Sequence, residues 1–307
     1  MKKIVIAAAN GYLGKALVNY FADGDYKITC LCRKTTVFEN AKCVVWDGKT
    51  LGTWASELEG ATALLNLAGK SVDCRYTDEN KQQIIASRVD STKVLGEAVA
   101  NCKQAPQVWL NASSVTIYRH SEDLPMSENG EIGEGFSVEV CKQWEETFFS
   151  TNTPHTRKAA LRIAFVLGNS GGALPMLSRL TKMGLGGKMG KGTQYISWIH
   201  ELDFCRSVEW LIDNPIECAV NICAPQPVTN KVFMQNLRKA HKIPFGIPIN
   251  TWMLEVGAVL LQTQTELVLK SRRVIPQRLE QSGFTFGYTT IEGALGSLAV
   301  SKQVVFF

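Results

Sequence analysis

What this sequence lacks narrows its function before anything it contains. No apolar stretch is as long as the roughly eighteen residues of a membrane-spanning helix, so no membrane partner is expected. Lys and Arg are dispersed, and the net charge is only +5. A solvated, mildly basic surface is expected rather than a nucleic-acid interface. The four histidines lack paired spacing and no Cys-x-x-Cys pair exists, so no metal site is expected. The nine cysteines are an odd number, spread from Cys30 to Cys223. They read as buried free thiols in a reducing compartment, not as a disulfide framework. Cys30 and Cys32 are expected to point to opposite faces of one strand. There is no internal repeat and no low-complexity linker. The opening MKKIVIAAA imitates a signal peptide, but its apolar run is short. Cleavage would also destroy the glycine turn that follows. The chain is therefore expected to be uncleaved and cytoplasmic.

What is present is an alternation of strands and helices. The 307 residues suffice for two lobes around one extensive core. Ile4–Ile6 reads as a buried strand, Lys27–Cys32 as a second, Lys42–Val45 as a third and Ala63–Leu67 as a fourth. A long helix near Asp78–Asn101, a strand Gln107–Ser113, a helix Val138–Ser150 and a sixth strand Arg157–Leu167 follow. This order predicts an α/β fold with a doubly wound parallel sheet, the Rossmann arrangement. From Gly168 glycines punctuate a loop-rich insert, and another strand–helix unit spans Tyr195–Asp213. The boundaries expected are 1–168 for a nucleotide-binding domain, completed by elements near 195–223. A smaller substrate lobe is placed mainly at 169–298, with a tail at 299–307.

The first strand runs into Ala8-Ala9-Asn10-Gly11-Tyr12-Leu13-Gly14 and then an amphipathic helix. Glycine in such a turn lets the backbone approach a pyrophosphate, and the helix N-terminus offers free N–H groups to it. NAD-binding proteins of this fold place a carboxylate at the end of the second strand to grip the ribose hydroxyls. Here that position reads Cys32-Arg33-Lys34. A guanidinium suits a 2′-phosphate, which favours NADP over NAD. Arg33 and Lys34 could otherwise simply solvate the strand end. Asp47 could reach the adenine amino group or cap the next turn. Leu67-Ala68-Gly69 closes the fourth strand at the edge where open sheets bind ligands.

These segments are joined by NLAGKSVDCRYTDENKQQIIASRVDST, Ser113-Ser114-Val115-Thr116-Ile117-Tyr118, LRIAFVLGNSGGAL, SWIHELD and RVIPQRLEQSGFTF. Together they resemble the extended short-chain dehydrogenase/reductases, and among them the NAD(P)-binding "epimerase family" proteins related to nucleoside-diphosphate-sugar epimerases. The resemblance spans nearly the whole chain. It implies an NADP-binding oxidoreductase or epimerase acting on a small or sugar-nucleotide-like substrate. A non-catalytic NADP(H) sensor or partner-docking protein is the alternative, and a homodimer is left open. Where the family has its first turn glycine, this chain has Ala8; a methyl is tolerated there if φ stays negative.

The superfamily's usual machinery is a serine with Tyr-x-x-x-Lys. Ser113 and Ser114 fall at the expected strand end, but the Tyr-x-x-x-Lys pair is absent. Anchored on Trp144-Glu145, the lysine position falls on Cys141 and the tyrosine position on Ser137; an offset of one puts Val140 and Phe136 there instead. Tyr118 is the remaining candidate acid, and could equally only line the pocket. Arg88 is a candidate cofactor contact and Arg75 a candidate substrate contact, each through a phosphate or carboxylate, although Arg88 lies within the long helix, where a structural ion pair is as plausible. Trp198 and His200 are candidate substrate contacts; for His200, capping of the following helix is the preferred reading.

Overall fold

A computed structural model describes residues 1–252 and 269–300. Strand β1 (Lys2–Ala7) buries both of its faces. Ile4 and Ile6 enter one core, while Val5 and Ala7 enter the other, as the two-residue period of a strand requires. The same logic holds for β2 (Tyr26–Cys32), β4 (Ala63–Asn66), β5 (Val108–Ser114) and β6 (Arg157–Ile163). With β3 (Lys42–Val45) and β10 (Cys218–Ile222) they form one seven-stranded sheet, ordered β10-β6-β5-β4-β1-β2-β3. Every pairing in it is parallel.

Two helix layers cover the sheet. Leu17 and Phe21 of α1 (Tyr12–Ala22), with Phe204, Val208 and Leu211 of α5 (Glu201–Asp213), close one core. Val94, Leu95 and Ala98 of α2 (Asp78–Ala100), with Phe148 of α3 (Phe136–Ser150), close the other. Thr77 caps α2 by accepting from the Asn80 N–H, and Asp78 and Glu79 oppose its dipole in the first turn. This is the α/β doubly wound fold.

Two sequence expectations change here. Cys30 and Cys32 lie on the same face, in the core that also takes Cys43. Residues two apart on a strand share a face, so the opposite-face reading was geometrically wrong. Burial pushes the Cys30 and Cys32 thiols up to about 12 and about 11. The run Arg157–Leu167 is two strands, not one. At Ala164 the backbone N–H turns to the Ile222 carbonyl, and Phe165 N–H pairs instead with Ser197. The segment β7 (Phe165–Leu167) therefore leaves the main sheet to pair with β9 (Trp198–His200).

A further core forms beyond the sheet. It unites Leu167, Leu174 of α4 (Leu174–Leu180), Trp198, and Phe233, Met234 and Leu237 of α6 (Asn230–Ala240). Ile291, Ala294 and Leu295 of α8 (Ile291–Val300) complete it. A two-stranded ribbon of β8 (Tyr195–Ile196) and β11 (Val228–Thr229) lies beside it, and α7 (Gln277–Gln281) packs on β10. Of the expected C-terminal helical stretches and tail, residues 253–268 and 301–307 lie outside the described residues. No helix among the described residues is long and apolar enough to cross a membrane.

Candidate functional site

The strand order reverses between β1 and β4: β2 and β3 extend one way, β5, β6 and β10 the other. Open α/β sheets bind ligands at such a switch point, beyond the carboxyl ends of the strands. A cavity of about 550 Å³ lies there. It is lined by Ala8, Asn10 and Gly11 after β1, Arg33 after β2, Asp47 after β3, and Leu67, Ala68 and Gly69 after β4. Segments far apart in the chain thus converge on one crevice.

The turn after β1 is built for close approach. Gly11 is the N-cap of α1 and has no side-chain cap bond, and no acidic residue sits in the first turn. The positive end of the helix is therefore left to the cavity. A Cβ on Gly11 would touch nothing nearer than the Ala8 carbonyl at 3.6 Å, so its freedom from a side chain keeps space open toward the crevice. Gly14 has the other glycine role: a Cβ there would lie 2.5 Å from the Ala9 Cα. Helix and turn could not pack so closely with any other residue. Ala8 departs from the expectation of a negative φ; its φ is +60°. The first position thus keeps the left-handed backbone that glycine favours while carrying a methyl. Tyr12 points away from the crevice onto Gly168 and Gly171, its hydroxyl facing Glu201. Leu13 packs against the sheet core.

At the β2 end, Arg33 lines the cavity, while Cys32 is fully buried beneath it and Lys34 is exposed outside the lining. Asp47 accepts from the backbone of Lys49 and Thr50 and from the Thr50 hydroxyl. These bonds hold its carboxyl down at about 2. Its capping role is thus present at the wall of the cavity. The sequence reading missed Trp46, Lys49 and Lys70, which also line it. The backbone N–H of Trp46 donates to the Cys32 carbonyl at 3.1 Å, which brings the Trp46–Lys49 turn beside Arg33. The Asp47-Gly48 pair after a strand was the signal that could have found this turn.

Asn66 shapes the β4 turn. Its amide donates to Asn111 and Thr92, and its oxygen accepts from Ala68 N–H at 3.0 Å. Trp144 of α3 donates to the same Thr92 hydroxyl. Beside this turn stands Arg88. It donates to the carbonyls of Lys70 and Ile84, and its guanidinium lies 5.0 Å from the Trp144 ring centroid. The alternative of a structural ion pair is not what holds it; carbonyls and an indole face do. Burial lowers its pKa from the ordinary value.

The catalytic candidates Ser113 and Ser114 stand at the carboxyl end of β5, where the sequence places them. Ser113 is buried and donates to Glu145 at 2.6 Å. Arg162 grips both oxygens of Glu145, at 2.9 and 2.8 Å, and donates to Tyr118. Tyr118 is fully buried and donates to Asn221. Burial pushes its pKa up to about 12, against the pull of Arg162 and its hydrogen bonds. Through these two bonds it bridges β6 and β10. Ser114 accepts from Thr116 N–H and caps the turn after β5. Cys141, at the lysine position, is buried beside the Thr116 hydroxyl.

The substrate candidates divide. Trp198 is fully buried in the second core, with its indole N–H on the Gln226 carbonyl. His200 is buried as well. Its Nδ1 accepts from Leu202 N–H and caps α5, while its ring stacks 3.8 Å from Tyr288. Burial holds it at about 4, below the usual histidine value. Arg75 is exposed in the loop before α2. Among the described residues no group of three or more His, Cys, Asp or Glu side chains could hold a metal ion.

A nucleotide-sized crevice at the switch point, a glycine turn at a helix N-terminus and a second lobe beyond the sheet define a dinucleotide-binding α/β protein. Residues 4–223 match the NAD dependent epimerase/dehydratase family, and 251–298 match a domain of unknown function, DUF1731. The chain belongs to the NAD dependent epimerase/dehydratase family, within the epimerase-related extended short-chain dehydrogenase/reductases. It is 33% identical over 303 residues to the epimerase family protein SSP1921 of Staphylococcus saprophyticus, covering 97% of this chain and 99% of that protein. It is 30% identical over 306 residues to the chloroplastic epimerase family protein SDR39U1 homolog of Arabidopsis thaliana, covering 96% and 86%. The crystal structure of human epimerase family protein SDR39U1 (isoform 2) with NADPH superposes with a TM-score of 0.87, at 25% identity, covering 97% and 99% of the two chains.

Proposed function

We propose that this protein binds NADP(H) in the switch-point crevice and prefers it to NAD(H). The observation that carries the reading is Arg33. A guanidinium stands at the β2 end of the cavity where NAD binders place a carboxylate. The rest of the cavity fits a dinucleotide. The uncapped N-terminus of α1 and the open space over Gly11 suit a pyrophosphate. The family membership and the NADPH in the human SDR39U1 structure support the same cofactor. The expected compartment is reducing and cytoplasmic, in keeping with nine free cysteines. In a thermal melt, NADPH is expected to raise Tm more than NADH at equal concentration. Equal shifts, or none, would refute the preference.

For chemistry, we propose a hydride-transfer oxidoreductase or epimerase on a small or sugar-nucleotide-like substrate. The bound cofactor would supply the hydride, and the protein would orient the reactants. A second reading, a non-catalytic NADP(H) sensor or docking protein, has its own support. Ser113 and Tyr118 are both committed to a buried network, and Cys141 and Ser137 replace the expected lysine and tyrosine. Cofactor oxidation across a panel of carbonyl and sugar-nucleotide compounds separates the two. Turnover favours the enzyme. Tight binding without turnover favours the sensor.

A further inference from the structure

The charges of this chain form no long run, yet they are divided by sign. No Asp or Glu occurs between Glu146 and Glu201, and none from Cys218 to Trp252. Residues 168–200 and 218–252 together carry eight Lys and Arg. That exceeds the net +5 of the whole chain, so the remainder is net acidic. Most of both stretches folds into the second lobe, around the core of Leu174, Trp198, Phe233 and Leu237.

The same lobe exposes apolar side chains on a double loop. Segments 184–190 and 247–249 are zipped together by backbone hydrogen bonds. Ile247 N–H donates to Gly184, Gly187 N–H to Ile247, Ile249 N–H to Lys188 and Gly190 N–H to Ile249, at 2.8–3.2 Å. A Cβ on Gly184 would lie 3.8 Å from the Phe245 ring, so Met183 and Phe245 belong to one tip. Met183, Phe245 and Ile247, with Trp252 just beyond, are each more than half exposed. Pro244 and Pro248 bring no N–H to this loop. With the two loops pairing each other's backbone, the tip can approach a low-dielectric phase at small cost.

Cations flank the apolar tip. Lys182 adjoins Met183, and Lys242 stands three residues before Phe245. A Cβ on Gly192 would lie 3.1 Å from the Lys188 Cβ and 3.4 Å from the Lys231 Cβ, so two more lysines stand side by side. All four are exposed, and none of them pairs with a carboxylate among the described residues. Acids meet this region through Glu122, which accepts from Thr193, and Glu292, 3.8 Å from Lys239.

We propose that this double loop is a docking surface for an anionic lipid bilayer. Met183, Phe245, Ile247 and Trp252 enter the interfacial region, and Lys182, Lys188, Lys231 and Lys242 meet lipid phosphates. A chain with no spanning helix can lie on a membrane in this way. Exposed apolar side chains set among uncompensated lysines match the apolar boundary and the negative surface of such a bilayer together. A nucleic acid would use the cations but not Met183 or Ile247. A second copy of this chain, docked patch to patch, would bring the same positive charge against itself. The proposal does not depend on the NADP(H) reading.

The test is sedimentation of the full chain with vesicles of phosphatidylglycerol and phosphatidylcholine in equal parts, against vesicles of phosphatidylcholine alone. Binding is expected to the first and not to the second, and is expected to weaken as salt rises. Lys182→Gln with Lys188→Gln is expected to weaken it roughly twentyfold, about fivefold per charge. Phe245→Ser is expected to weaken it roughly tenfold. Both variants are expected to keep the Tm of the unaltered protein, since the side chains they change are exposed. The emission of Trp252, taken as the difference from Trp252→Phe, is expected to move to the blue on binding. No preference for the anionic vesicles would overturn the proposal. So would anionic binding that both variants leave intact, which would put the contact elsewhere on the molecule. Binding to a DNA duplex in preference to vesicles, or self-association that Phe245→Ser relieves, would give the surface to another occupant and overturn it as well.

Discussion

Ala8 carries a methyl at φ +60°, a backbone region that costs an ordinary L-residue roughly 1–2 kcal/mol. Ala8→Gly is therefore expected to stabilise the fold by about 1 kcal/mol, less the extra freedom glycine gains when unfolded. Urea denaturation measures it. His200 gives a pH dependence at the same scale. It is held at about 4 in the fold by burial, against about 6.5 when unfolded. The unfolded chain thus binds the proton first as pH falls. Through His200, stability is full above about pH 6.5, declines as pH drops toward 4, and declines no further below that. His200→Asn should flatten this part of a stability–pH profile; an unaltered slope between pH 6.5 and 4 would contradict it.

The elements explain why the sequence was legible in some places and not in others. Strands β1 to β5 and helices α2 and α3 were readable because each is a locally patterned unit bounded by its own cap or turn. The glycine turn was readable too, since Gly14 must sit against Ala9 whatever surrounds it. Gly14→Ala is expected to destabilise by roughly 1–3 kcal/mol through overpacking, read as a shift in the denaturation midpoint. The split at Ala164 was hidden, because both halves are apolar and only their hydrogen-bond partners differ. The surroundings of Tyr118 were hidden for a related reason. Its position after β5 resembles a site, but Arg162 and Asn221 come from β6 and β10 and enclose it. Tyr118→Phe is expected to cost roughly 1–3 kcal/mol and to leave NADPH affinity unchanged. A variant as stable as the original but impaired in cofactor-dependent turnover would restore Tyr118 to the chemistry.

At the scale of the whole molecule, the crevice is a product of topology. Ala8, Arg33, Asp47 and Gly69 end four different strands, and the reversal between β1 and β4 brings them to one edge. Each was visible in the sequence as a strand end; Lys49 and Lys70 were not, since loops deliver them only after the sheet is assembled. The second lobe was less legible. SWIHELD marks a familial position, but Trp198 and His200 are used there to pack and to cap. The central claim is a site that selects NADP(H) through Arg33. Its most direct test is calorimetric titration with NADPH and NADH of the unaltered protein and of Arg33→Ala. The account predicts tighter NADPH binding that Arg33→Ala weakens roughly ten- to hundredfold, toward the NADH value. Equal affinities for the two cofactors, untouched by Arg33→Ala, would contradict it.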